Sequence, residues 1–256
     1  MFQSLFINDS AMILFVLILL RISSFILSSS IFHSMQLPTL VKILFSLCFT
    51  MLVYEASKNK ELPLDGLIVL YAVKEVFIGL TLGLLTRFFF HAIAMGSELI
   101  SMSLGLGASS VFNPLSGTSS NLIEQFQGVL AILVFFSIQG HHLLIGGINQ
   151  SFEILPITSL HIKLMGFSEF VFWCKNLFEI ALKIAAPVLS SIFLVNLSMG
   201  ILGRAVPQIN VFVTSFQVTI LVGFLVVFIS LPLFLNEMIQ ILDLTHTEMF
   251  KFMRSF

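Results

Sequence analysis

The chain has 256 residues, of which 57% are hydrophobic and only 10% charged, and its formal net charge is −1. A soluble domain carries about 25% charged residues, so most of this chain cannot build a water-facing surface, and a charge near zero gives no footing for a nucleic-acid partner. At roughly 20 residues per span, the length allows about six transmembrane helices with short connections.

The apolar runs are continuous and rich in Leu and Phe. They favour helices over a closed barrel as the way to satisfy a backbone inside lipid. The first run, 11–30, follows Asp9 and no basic segment, so it does not resemble a cleaved signal peptide and is expected to stay in the mature protein. It contains Arg21. A second run covers 40–54, and a third, 64–95, contains Lys74, Glu75 and Arg87. Further runs cover 122–148, 166–203 and 211–235; the fifth brings Lys183, Pro187 and Asn196, with Arg204 at its end. A short tail, 236–256, mixes Glu237, Asp243, Glu248, Lys251 and Arg254 with Met and Phe. A charge near a bilayer centre costs at least about 2.5–3.5 kcal/mol, so the charged faces are expected to point at protein or a wet cavity. Lys74 and Glu75, as sequence neighbours, should not face each other on a helix and should find separate partners; Glu75 and Glu98 are expected to pair across helices. The basic residues do not alternate between successive connections, so orientation is not readable from them.

Small residues mark close packing. Gly79 and Gly83 form a GxxxG within the third run. Ser97, Ser101, Gly105 and Ser109 recur every four residues, along nearly one helix face. Packing within one bundle and contact with another subunit both fit these patterns. They lead into LGASSVFNPLSGTSS, residues 106–120, which has no charge and one aromatic, Phe112. Too polar for lipid, it must be buried in protein or line a cavity.

Catalytic constellations are not found. His141 and His142 are adjacent and should point about 100° apart on a helix, a poor start for a shared metal. Cys48 and Cys174 lie in apolar runs and read as buried free thiols. No P-loop, HExxH or C-x-x-C occurs. The reading is therefore of a non-enzyme with neither metal nor cofactor.

Four blocks carry a resemblance. KEVFIGLTLG precedes GSELISMSLGLGASSVFNPLSG, then comes FFSIQGHHLLIGGINQSFEILP, and near the end KIAAPVLSSIFLVNLSMGILGRAVPQINVF. In this order and spacing they resemble the FliR family, components of the flagellar type III protein export gate with injectisome relatives of similar plan. Gln150, Phe152 and Pro156 lean toward the flagellar branch. The family's Glu-x-x-x-Gly-x-x-x-Gly motif falls on Glu75, Gly79 and Gly83, and its Gly-His pair on Gly140 and His141. Its early Arg and Leu-Pro elements fall on Arg21, Leu37 and Pro38, and its Arg-x-x-Pro-x-x-Asn turn on Arg204, Pro207 and Asn210. Two positions depart: Asn113 stands where the family usually has Asp, and Ser30 where a proline is expected. Asn and Asp both initiate turns, so a turn role at 113 survives.

The resemblance implies an all-α membrane protein of about six long, partly kinked hydrophobic helices arranged as helical hairpins within a larger hetero-oligomeric gate. It implies a single domain over 1–256, with N-terminal hairpins over about 1–120, C-terminal hairpins over about 121–235 and the tail 236–256. Copies of FliP and FliQ are the implied partners, with FlhB, the rest of the flagellar export apparatus, unfolded protein substrates and membrane lipid. The implied place is the bacterial inner membrane at the flagellar basal body, seated partly above the normal bilayer plane. The expected pore plug is Ser109, Ser110, Val111, Phe112, Asn113, Pro114, Leu115, Ser116, Gly117, Thr118, Ser119 and Ser120, with Gly105, Gly107 and Gly117 as hinges. Helix packing or subunit contact is assigned to Glu75, Gly79, Gly83, Ser97 and Ser101, and a hairpin turn between the last two helices, open to partner docking, to Arg204, Pro207 and Asn210. The rival readings are a small-molecule transporter with a broken-helix site and the equivalent injectisome subunit. A transporter should repeat its helix interruption, and Pro187 and RAVPQIN are the only candidates.

Overall fold

A computed structural model describes residues 9–29, 38–57, 68–106, 122–158, 167–208 and 210–255. Among them the chain forms eight helices and no strand: α1 (Asp9–Ser28), α2 (Thr39–Ser57), α3 (Ile68–Ser103), α4 (Leu122–Ser137), α5 (Gly140–Ile154), α6 (Phe167–Ala205), α7 (Val211–Ile229) and α8 (Leu231–Ser255). Five of these, α1, α2, α3, α6 and α7, are long and apolar enough to cross a membrane, and α4 with α5 makes a sixth if the pair counts as one broken span. The fold is an all-α membrane fold, as the continuous apolar runs lead one to expect.

Two boundaries differ from the sequence reading. The run 122–148 is two helices, because Gln139 adopts left-handed backbone at φ 58° and interrupts the hydrogen-bond ladder. Residues 236–256, read as a tail, belong to the 25-residue helix α8 up to Ser255. Pro232 sits in its first turn, where a missing N–H is tolerated. Phe234, Met238, Ile241, Thr245, Met249 and Phe252 form a buried stripe at helical spacing, with Asp243, Lys251 and Arg254 exposed. The turn Arg204–Asn210 therefore joins α6 to α7 and is not the connection between the last two helices. Helix α6 continues through Pro187, which removes one of the two interruptions a transporter reading needs.

The described residues fall into two compact units. The first takes residues up to Phe88, Gln139–Glu169 and those from Asp243 on; the second takes Phe89–Ile138 and Phe170–Leu242. In the first, α2 lies on α1 through Ser46, Thr50 and Val53, all buried. The two hydroxyls turn back to carbonyls of their own helix, Ser46 to Ile43 (2.7 Å) and Thr50 to Ser46 (2.6 Å), which leaves a small, satisfied face for close approach. The opposite face of α2 carries exposed Leu40, Leu44 and Leu52, and Cys48, read as buried, is exposed there. In the second unit, Phe89 and Phe90 meet Phe135 with ring centroids 5.9 Å apart in both cases. Ala181, Ile184, Ala185, Val188 and Ile192 form the buried stripe of α6.

Candidate functional site

In the first unit, three ionisable side chains meet where almost everything else is hydrocarbon. Arg21 of α1 and Lys74 and Glu75 of α3 have 0%, 2% and 0% of their surface exposed. Arg21 Nε donates to Glu75 Oε2. Its Nη1 donates to Ser151 O (2.9 Å) and Ser151 Oγ (3.2 Å), its Nη2 to Leu155 O (2.9 Å), and its guanidinium lies 4.2 Å from the Phe152 ring centroid. Lys74 Nζ donates to Pro156 O (2.9 Å) and Ile157 O (3.2 Å). It also stands 3.2 Å from Glu75 Oε1, as an ion pair without hydrogen-bond alignment. Lys74 and Glu75 thus have the separate hydrogen-bond partners expected of them, but they also meet: the four-carbon lysine arm reaches round the helix to a carboxylate that Arg21 already holds. Truncating one member of such a buried pair typically costs about 3–5 kcal/mol, because its partner is left charged and unpaired. Glu98, expected to pair as Glu75 does, lies exposed on α3.

The glycine motif sits one turn along from this cluster. A Cβ on Gly79 would stand 2.0 Å from Ser24 Oγ and 2.3 Å from Arg21 O, and one on Gly83 would stand 2.6 Å from Ser28 Cβ and 2.8 Å from Phe25 O. Both glycines therefore let α3 touch the backbone of α1. Ser24 donates to Arg21 O (3.0 Å), and Ser28 donates across to Leu80 O (2.9 Å). Four-residue spacing on α3 faces four-residue spacing on α1. Arg21 and the Glu75–Gly79–Gly83 motif, separate elements in the sequence, are one contact in the fold.

The small-residue face further along α3 belongs to the second unit. Ser97 is fully buried and donates to Ile93 O (2.7 Å), with its hydroxyl also on Gln127 Oε1 of α4. Gly96, beside it, brings α3 against α6: its Cβ would stand 3.1 Å from Ala181 O. Ser101 is buried with its hydroxyl unpaired. Gly105, expected as a hinge, has φ 77° and ends α3: Leu106 N donates to Ser101 O (3.1 Å) and Gly105 N to Met102 O (3.0 Å). That is a Schellman cap, for which a glycine in left-handed backbone is the usual requirement. The plug residues from Ser109 to Ser120, with Gly107, Phe112, Asn113 and Gly117, lie outside the described residues, as does Leu37.

Arg204 occupies the last turn of α6, where a cation opposes the helix dipole, and it is exposed, as is Pro207, two residues past the helix end. Asn210 caps α7 by accepting from Val213 N (3.4 Å). Gly203, unmarked by the sequence reading, makes the turn tight: a Cβ there would meet Val211 Cγ2 at 2.9 Å. The His141 and His142 rings, read as pointing about 100° apart, lie with centroids 4.2 Å apart; among the described residues no three metal-ligating side chains converge.

Sequence reading also missed Lys74, Ser24, Ser28 and Ser151 as partners. The serines carried a signal, a small-xxx-small pattern three residues after Arg21; Ser151 and the carbonyls beyond it carried none.

The family described as bacterial export proteins, family 1, has a sequence model that matches residues 12–245. The chain is 30% identical over 236 residues to the flagellar biosynthetic protein FliR of Bacillus subtilis strain 168, covering 90% of this chain and 91% of that one. It is 28% identical to the protein of the same name from Aquifex aeolicus, with 88% of each chain covered. For the Escherichia coli K12 protein of that name, the identity is 27%, over 84% of this chain and 83% of the other. The matched span takes in Arg21, the Glu75–Gly79–Gly83 motif and the turn at Arg204, and this chain belongs to the FliR family of bacterial export proteins.

Proposed function

We propose that the chain is a core subunit of the flagellar type III export gate in the bacterial inner membrane at the flagellar basal body. With FliP and FliQ copies it forms the channel through which unfolded flagellar proteins leave, and it works beside FlhB and the rest of the export apparatus. The family match over residues 12–245 carries this reading. The surface agrees with it: the apolar windows of α2 and α7 are each only 17% buried within the chain, leaving Leu52, Phe212, Leu221 and Ile229 bare for lipid or neighbouring helices.

In this reading the gate works by obstruction. The loop 109–120 fills the pore at rest, Phe112 is its bulky element, and the glycines at 105, 107 and 117 let it swing when substrate arrives. A narrow apolar constriction blocks ions without covalent chemistry. Gly105, in left-handed backbone, ends α3 ahead of the loop, and Pro114 disfavours helix within it. Deleting residues 110–118 is expected to raise ion leakage through the membrane while the assembled complex persists. Unchanged conductance in a normally assembled complex overturns the plug.

A further inference from the structure

Helix α5 is stopped by Pro156, which follows the C-cap Leu155 and cannot continue the helix, and Leu155 N donates back to Ser151 O (2.9 Å). No basic residue lies in its last turn, no glycine follows it, and its C-cap Leu155 sits at φ −117° and ψ 79°, outside left-handed backbone. The carbonyls at and just past that end also accept from Arg21 and Lys74, which lie 130 or more positions and 82 or more positions away in sequence from Ser151 and Pro156 respectively. We propose that Arg21, Lys74 and Glu75 form a charge lock that selects α5 as the third helix of the first unit and fixes where its C-terminal end sits. The inference rests on this geometry and not on the export reading.

Charge count is the first argument. Among these three side chains, one carboxylate stands beside two cations. The C-terminal end of a helix supplies about half a negative charge, and α5 brings it together with the carbonyls of Leu155, Pro156 and Ile157 just past its last turn.

Register is the second. Arg21 spans Ser151 O and Leu155 O, four residues apart and therefore on one face, one turn from each other. Sliding α5 by one residue turns that face by about 100° and takes both acceptors away. Glu75 acts as a positioning residue: it holds Nε and leaves the two terminal nitrogens for α5. Phe152 fixes the guanidinium plane from below, and the backbone of α1 at Arg21 is itself pinned by Gly79. A lysine at 21 has no rigid fork with which to serve Glu75 and two carbonyls together.

The competing account is an ordinary ion pair between α1 and α3, with α5 held by apolar packing alone. Such a pair tolerates charge reversal. The lock does not, since reversal puts a carboxylate at 21 against the carbonyls of α5. The test uses the full-length chain in membranes with Cys48 and Cys174 replaced by serine. Ile26→Cys with Ile145→Cys, two positions lining one cleft, reports α1 against α5 through a short bifunctional maleimide. Ser28→Cys with Leu80→Cys reports α1 against α3.

Arg21→Glu with Glu75→Arg is expected to keep the α1–α3 crosslink and to lose the α1–α5 crosslink at least about tenfold, the effect of losing charge-assisted hydrogen bonds. Arg21→Lys is expected to weaken only the α1–α5 crosslink, several-fold. Retention of both crosslinks by the reversed chain overturns the lock. If the reversed chain loses both, Arg21→Lys decides: selective loss of the α1–α5 crosslink supports the proposal. No change in Arg21→Lys, or equal loss of both crosslinks, overturns it.

Discussion

Gly79→Ala adds one methyl group at the point where α3 touches α1, and the structure says how badly it fits. The new Cβ would stand 2.0 Å from Ser24 Oγ and 2.3 Å from Arg21 O. The serine hydroxyl can rotate, but the carbonyl is backbone, so the helices must separate by an ångström or more. Overpacking of this kind costs about 1–3 kcal/mol. The same movement pulls Arg21 from Glu75, a buried pair whose disruption adds to the cost. For a chain of this size each kcal/mol lowers a melting midpoint by about 2–4 °C, so a fall of several degrees is expected, read by size-exclusion chromatography of the heated, detergent-solubilised protein. Ser24→Ala should rescue only part of the loss, because the clash with Arg21 O remains. Gly146→Ala is the control: nothing lies within 4 Å of its Cβ, and alanine gains up to about 1 kcal/mol of helix propensity over glycine. If Gly79→Ala proves as stable as Gly146→Ala, the α1–α3 contact is not the close approach described.

Other substitutions probe the second unit and the turn. Gly105→Ala is expected to cost about 1–2 kcal/mol, since φ 77° disfavours a Cβ and the added atom would stand 3.1 Å from Phe216, whereas Gly105→Asn should cost less; thermal midpoints of the two variants check this. Gly223→Ala places a Cβ 1.8 Å from Leu104 Cδ2, so Leu104→Ala should be harmful alone, at about 2–5 kcal/mol, yet less than additive with it in a double-mutant cycle. Arg204→Glu, at an exposed position in the last turn of α6, should change stability by under about 1 kcal/mol; a motility or secretion assay that shows lost export with intact assembly identifies the turn as a docking surface, and normal export removes that role.

The sequence made some of this legible and hid the rest for identifiable reasons. Gly79 and Gly83 announce close packing because only glycine leaves a bare groove at four-residue spacing, and α1 is where the groove closes. Arg21 and Glu75 stand out as charges in apolar runs, but pairing between residues 54 positions apart is a tertiary fact. The contact of Lys74 with Glu75 is hidden because a helical wheel places neighbours 100° apart and ignores the reach of a long side chain. The break had no proline to mark it, and the residue in left-handed backbone is Gln139 and not the neighbouring Gly140, which starts α5. Helix α8 was legible from its stripe at Phe234, Met238 and Ile241, and was passed over because its polar face lowers its mean hydropathy. Cys48 looks buried in sequence only because apolar composition does not say whether a face meets protein or lipid.

The length of α6 bears directly on what covers its apolar surface. Val171 and Leu202, near its two ends, are 48% and 49% exposed within the chain, and at 1.5 Å per residue they lie about 46 Å apart along the helix. A hydrocarbon core is about 30 Å thick, and even a helix tilted by about 40°, the upper end of the usual range, crosses it in about 39 Å. Both side chains cannot lie in hydrocarbon at once. At least one of them, with apolar neighbours such as Phe172 or Ile201 that are also exposed, must leave the bilayer, where burial against another protein is the favourable way to remove it from water. Spin labels on Val171→Cys and Leu202→Cys in the cysteine-free chain, measured in the assembled complex, test this through oxygen and nickel-chelate accessibility. At least one label should be shielded from oxygen, and that same label should also be shielded from the water-soluble chelate, as a protein contact requires. Hydrocarbon-level oxygen accessibility at both sites would refute the argument, and chelate access at the shielded site would refute the protein contact.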